Sequence, residues 1–205
     1  MKKLNVLAIS AAVAASSFGS MSVAQAEVTA NIGASSNYLW RGVSLSNEAA
    51  AVSGGVDYSH ESGAYAGVWQ SSEGFTGSPE TDLYVGFAGE AGDFGYDVGY
   101  VSYMYLQNDT ADFEEIYLSG SFKFAELYYA NSSDLDSDYI ALTLSYDKFS
   151  FVYGDYSFDA GGDYSHFDLG VNLTDELSLV YSQNDITGDD DGRLVISYAL
   201  EFDVK

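Results

Sequence analysis

The sequence predicts an all-β fold, a transmembrane antiparallel up-and-down β-barrel of about twelve strands carried behind a cleaved signal peptide. Three observations predict it. Apolar and polar residues alternate with period two through about twelve segments, each about eight to twelve residues long. The connections between segments alternate between long and short, as in barrels with long loops on one side of a membrane and tight turns on the other. The first residues have the three-part layout of an export leader.

The leader comes first. Met1-Lys2-Lys3 supplies the charged n-region, Leu4–Ala15 the apolar stretch, and Ala24-Gln25-Ala26 a small-x-small cleavage site. Residues 1–26 are therefore read as a Sec signal peptide, and 27–205 as one barrel domain beginning at Glu27. The apolar run is too short to span a bilayer as a helix, and no later stretch is long enough either.

Segments then follow at 28–41, 50–59, 63–72, 80–89, 94–106, 113–123, 125–132, 138–146, 148–157, 163–173, 176–184 and 192–202. In the first, Val28, Ala30, Ile32, Ala34, Tyr38 and Trp40 share one face, and Thr29, Asn31, Ser35, Asn37 and Arg41 share the other. Ile140, Leu142, Leu144 and Tyr146 alternate with Tyr139, Ala141, Thr143 and Ser145. Leu194, Ile196, Tyr198, Leu200 and Phe202 repeat the pattern against Arg193, Ser197, Ala199 and Glu201. Helical periodicity competes in none of these windows. Long connections are expected at 42–49, 71–79, 107–112, 131–137, 157–162 and 184–191, and short ones at 59–62, 90–93, 123–125, 147 and 174–175. An even strand number leaves both termini on the periplasmic side.

Composition narrows the function. The chain carries 31 acidic and seven basic side chains, for a formal net charge of −24. Phosphate recognition runs on Lys and Arg, so nucleic acid is excluded as a partner. With 18 Tyr and 12 Phe the chain is not a disordered acidic polymer. It has no Cys, hence no disulfide or thiol chemistry, and its single Pro and 21 Gly suit a sheet with many turns. Acids crowd the long loops, and Asp134-x-Asp136-x-Asp138 has the opening spacing of a Ca²⁺ loop. Tyr139 stands where such a loop needs Gly, so this is a weak Ca²⁺ candidate and no metal is assigned.

The segment Ser36-Asn37-Tyr38-Leu39-Trp40-Arg41-Gly42-Val43-Ser44 resembles the N-terminal signature of the TorF-like porin family. The resemblance continues through Gly54–Gly63, Tyr65–Trp69, Asp82–Gly86, Gly92–Tyr100 and Asp191–Val195, and covers essentially the whole mature chain. It implies a Gram-negative outer-membrane barrel that conducts solutes, without implying which. One departure is at the C-terminus. Such barrels end on an aromatic residue read by the assembly machinery, whereas here Asp203-Val204-Lys205 follow Phe202.

If the faces are as read, the lumen receives Arg41, Asp57, Asp82, Asp97, Glu115, Lys123, Glu126, Asp168, Arg193 and Glu201. An open pore so lined favours cations or is non-selective, and transport through it is passive and needs no cofactor. Tyr38, Trp40, Tyr58, Tyr65, Trp69, Tyr96, Tyr100, Tyr129, Tyr146, Tyr153, Tyr181 and Tyr198 are candidates for aromatic girdles at the two membrane interfaces. The expected partners are outer-membrane lipid and lipopolysaccharide, the barrel-assembly machinery and small solutes. Catalysis is not expected. His60 falls in a short turn, Ser165 and His166 point to opposite faces, Asp168 shares the face of His166, and no nucleophile motif occurs. The alternatives are a plugged structural or surface-binding barrel with acidic external loops, and a soluble periplasmic β-protein.

Overall fold

Period-two alternation over segments this regular pairs best when every strand has a neighbour on both sides, and the chain achieves that by closing on itself. The computed structural model describes residues 26–74 and 76–204. The leader expected over 1–26 lies, apart from Ala26, outside the described residues. The barrel strands are β1 (Glu27–Ser35), β4 (Ala51–Ser59), β5 (Ala64–Ser71), β6 (Glu80–Ala91), β7 (Phe94–Tyr105), β8 (Phe113–Phe122), β9 (Ala125–Ser132), β10 (Ser137–Tyr146), β11 (Phe149–Phe158), β12 (Tyr164–Asn172), β13 (Leu177–Asn184) and β14 (Arg193–Asp203). Each pairs antiparallel with its sequence neighbour, and β1 closes the ring against β14, with Thr29 opposite Asp203 and Ser35 opposite Ser197. Two further short strands, β2 (Leu39–Trp40) and β3 (Val43–Ser44), form a separate hairpin. One 3₁₀ turn, Asp109–Ala111, lies between β7 and β8.

The patterning is that of a soluble β-protein turned inside out. Ile32, Val52, Leu83, Val85, Ile116, Leu118, Leu127, Ile140 and Leu194 are all exposed on the outer face. The inner face buries Tyr65, Tyr84, Tyr103, Tyr117, Tyr128, Tyr139, Tyr156 and Tyr164 in one cluster. Inward tyrosines fit because glycines face them across the ladder. Tyr65 pairs with Gly86 and Gly67 with Tyr84 on β5 and β6, and a Cβ on either glycine would lie 2.2–2.4 Å from the opposing ring.

The first expected segment is corrected here. It does not run to Arg41 but ends at Ser35. Ser36 makes a last contact with β14, its N–H donating to the Ile196 carbonyl at 2.9 Å. Beyond it the chain turns into the barrel, so the parity that put Tyr38 and Trp40 on the outer face no longer applies.

Gly67→Val forces the Tyr84 ring from its seat, a small-to-large change of the kind that costs about 1–3 kcal/mol. Urea unfolding of the refolded barrel, followed by its loss of compact electrophoretic migration, is expected to show a lower midpoint.

Candidate functional site

The site grows from the short hairpin β2–β3, folded into the end of the barrel that carries the long loops. Leu39 pairs with Ser44 and Trp40 with Val43, which leaves Arg41 and Gly42 as a two-residue tip. Both tip residues adopt left-handed backbone, φ 49° at Arg41 and 79° at Gly42, as a tight two-residue hairpin demands. Gly42 also has no room for a side chain, since a Cβ there would lie 2.5 Å from the Cβ of His166. The arms are tied by Asn37, whose Oδ1 accepts from the hydroxyls of Ser44 and Ser46, and by the Leu45 N–H, which donates to the Tyr38 carbonyl.

The tip is fastened to the wall through charge. Arg41 Nη1 and Nη2 donate to the two oxygens of Glu115 on β8, both at 2.7 Å, with Arg41 2% and Glu115 2% exposed. The guanidinium lies over Trp40, Tyr139 and Tyr156, 4.1–4.9 Å from their ring centroids. Burial alone would lower its pKa. The charge of Glu115 and its hydrogen bonds outweigh that and hold it well above the ordinary value. Trp40 packs edge-on against Tyr103, Phe113 and Tyr156. The Gly42 carbonyl accepts from Asn184 Nδ2 at 2.8 Å. On the near arm, the Tyr38 hydroxyl donates to Glu80 Oε1 at 2.5 Å, and Tyr105 donates to the other Glu80 oxygen. Burial and the Glu80 charge push the Tyr38 hydroxyl well above its usual pKa, so it remains a donor.

At the rim, Arg193 joins the first long connection to the last. Its Nε lies 3.4 Å from Glu48, and its Nη2 pairs with Asp189. Beside the hairpin tip, His166 Nε2 shares a 2.8 Å hydrogen bond with the Tyr139 hydroxyl, and Nδ1 lies 3.5 Å from Asp168. The neighbouring Ser165 is on the other face, its hydroxyl donating to Asp185. The inward hairpin is the element that period-two reading missed.

The family model described as a bacterial protein of unknown function, Gcw_chp, matches residues 20–180. The chain belongs to the Gcw_chp family. No curated protein matches it. Among solved structures, the KdgM porin is similar in fold at a TM-score of 0.54 and 7% identity, over 86% of this chain and 99% of that one. Outer membrane phospholipase A from Escherichia coli aligns at a TM-score of 0.46 and 8% identity, over 83% and 91%. OpdK from Pseudomonas aeruginosa aligns at 0.38 and 14% identity, over 75% of this chain but 58% of its own. At 7% identity the likeness to the KdgM porin is one of fold alone.

In this Gcw_chp barrel the residues read as lumenal divide into two groups. Glu115, Asp82, Asp168 and Arg193 line the half that carries the hairpin, and Arg41 reaches that half from the hairpin rather than from a strand. Asp82 is 1% exposed and, among the described residues, its Oδ1 has no hydrogen-bond partner. Asp57, Asp97, Glu126 and Glu201 occupy the inward register toward the short turns. There Asp57 accepts from Asn31 and Tyr84, and Asp97 from Tyr65. Lys123 is not lumenal. It forms the exposed left-handed turn between β8 and β9, φ 58°, with its ammonium 5.1 Å from the Phe122 ring.

The aromatic candidates divide as well. Tyr96, Tyr100, Tyr146 and Tyr198 are exposed on the outer face, as are Tyr58, Tyr129 and Tyr153. Tyr38, Trp40, Tyr65 and Trp69 instead point inward. Tyr38 and Trp40 do so because the hairpin carries them, and Tyr65 and Trp69 because they share parity with Gly67 and Ser71 on the inner face of β5. The Asp134, Asp136 and Asp138 carboxylates do not converge. Asp134 accepts from the Glu114 N–H, Asp138 from Asn131 and Tyr129, and no three-residue metal-binding group occurs among the described residues.

Glu115→Gln leaves the Arg41 charge buried against a neutral amide, and breaking such a pair costs about 3–5 kcal/mol. Urea unfolding is expected to show that loss. Replacing both partners, as Arg41→Met with Glu115→Leu, is expected to restore most of it.

Proposed function

We propose that this Gcw_chp protein is an outer-membrane porin of a Gram-negative bacterium, passing small solutes by diffusion with a preference for cations. The observation that carries this reading is the combination of an apolar outer face with an acidic inner one. An exposed apolar belt around the whole circumference suits lipid and not water. Tyr146, Tyr198, Tyr96 and Tyr58, together with Phe94, Phe122 and Phe149, form the exposed aromatic band near the short turns, where an interfacial girdle belongs. The short turns and both termini then face the periplasm, and the long acidic loops meet lipopolysaccharide. Insertion falls to the barrel-assembly machinery. The resemblance to TorF-like porins and the fold likeness to the KdgM porin support the same reading.

Selectivity follows from charge. Asp57, Asp97, Glu126 and Glu201 line the short-turn half, where the pairs of the other half bring no base, and their negative potential concentrates cations. The first long connection narrows the other half. The depth at which it is packed, with Leu39 1% exposed, favours a second reading, a plugged barrel that serves at the surface.

Planar-bilayer recording of the refolded mature protein separates the two. In a salt gradient, discrete steps with a cation-selective reversal potential are expected. The triple change Asp57→Asn, Asp97→Asn and Glu126→Gln is expected to move that potential toward zero. Heat-modifiable, folded barrels that never conduct would overturn the porin reading in favour of the plug.

Gly42→Val, which gives the hairpin tip a branched side chain where a Cβ already collides with His166, is expected to unseat the hairpin. The same recordings then read a larger unit conductance.

A further inference from the structure

The hairpin tip occupies its seat as a bound ligand would. Glu115 offers two carboxylate oxygens in the plane of a guanidinium, and the Tyr103 hydroxyl orients one of them from 3.3 Å. Tyr139 and Tyr156 offer ring faces at 4.1 and 4.9 Å. Asn184 offers an amide N–H₂ to the carbonyl of the residue after the arginine. His166 packs against the α-carbon side of that residue so closely that only glycine fits. These groups come from β7, β8, β10, β11, β12 and β13, so they belong to the rigid wall and not to the hairpin they hold.

The occupant, in contrast, is weakly self-supporting. The hairpin has two residue pairs, and a hairpin of that size is not stable alone. Its arginine adopts left-handed backbone, which a side chain makes unfavourable. Among the described residues Arg41 Nε has no hydrogen-bond partner.

We propose that this stretch of wall is a subsite for short peptides of the Arg-Gly type, carrying a guanidinium and the carbonyl of a small following residue, with the Arg41-Gly42 tip as its tethered occupant. The proposal rests on the channel reading and gives it a solute class. A guanidinium satisfies both Glu115 oxygens at once while its carbon sits 4.1 Å from the Tyr139 ring centroid and 4.9 Å from that of Tyr156, whereas an ammonium makes only point contacts. A tethered group competes at an effective concentration of the order of millimolar, so free solute enters the wild-type seat only in that range. Solute that displaces the tip draws Trp40 out of its aromatic nest, and the same event widens the passage.

The chain has two tryptophans, so Trp69→Phe leaves Trp40 as the single reporter. The test titrates the folded Trp69→Phe barrel in detergent with arginyl-glycine amide and with lysyl-glycine amide, following Trp40 emission. A saturable red shift at millimolar arginyl peptide is expected, with at least tenfold weaker binding of the lysyl peptide. Adding Arg41→Ala removes the competitor, and isothermal titration calorimetry, which does not depend on displacing the tip, is expected to show arginyl-peptide binding at least tenfold tighter. Adding Glu115→Gln to that variant abolishes binding, and with both partners of the ion pair removed the barrel keeps no unpaired buried charge there. Equal binding of the two peptides, no gain on Arg41→Ala, or binding that survives Glu115→Gln would each overturn the proposal. The readout does not use conductance. Binding by a barrel that never conducts would refute the channel reading alone, and conduction without binding would refute the subsite alone.

Discussion

Ring closure is the constraint on which everything else in this molecule depends. Because β1 bonds to both β4 and β14, no barrel strand is left with an unpaired edge, and the sheet has two separate faces rather than two sides of one surface. Parity along each strand then decides whether a residue belongs to the outer belt or the lumen. A twelve-stranded ring encloses a limited space, and here tyrosines over glycines take up much of it. Tyrosine suits that position because its ring fills volume while its hydroxyl gives the lumenal carboxylates a donor. Tyr84 serves Asp57 in this way, Tyr65 serves Asp97, and Tyr105 serves Glu80.

Closure also explains why the first connection can fold inward. A two-residue hairpin brings few contacts of its own, and desolvating Arg41 and Glu115 offsets much of their attraction. What such a pair supplies is position. The bidentate geometry fixes the tip to one strand at one height, and the left-handed Arg41-Gly42 backbone turns the arms back toward the mouth. A lysine at position 41 would bring the charge without the plane, and the tip would lose its orientation against Tyr139 and Tyr156.

Most of the barrel was legible because period two is a property of the chain itself. Strands such as β10 and β14 need only their own alternation to declare their faces, and the number of strands follows from counting them. The hairpin was not legible, because Tyr38 and Trp40 continue the even parity of β1 as if the strand had not ended. The available signal was Arg41-Gly42, a two-residue turn set between Leu39-Trp40 and Val43-Ser44, but Arg is an uncommon turn residue and its pairing with Glu115 is non-local. Tyr65 and Trp69 were misplaced for a different reason. Their aromatic character suggested an interface, although they share parity with Gly67 and the apolar Ala66 and Val68 lie on the opposite face. Lys123 was placed by extending parity of β8 one residue into a turn, where parity has no meaning.

The distribution of the few basic side chains ties these features together. In a chain this acidic, each base is a scarce counter-charge, and the described ones are used in two different ways. Lys123 and Lys148 occupy the short turns, their ammonium groups beside the Phe122 and Phe149 rings of the outer face. Arg41 and Arg193 are both buried at the mouth, and both hold the first long connection: Arg41 binds it to the wall at Glu115, and Arg193 binds Glu48 of that connection to Asp189 of the last. The short-turn half of the lumen is left with carboxylates and hydroxyls. Fastening the first connection therefore consumes the positive charge inside the barrel, and the same assignment that narrows the mouth leaves the rest of the lumen negative.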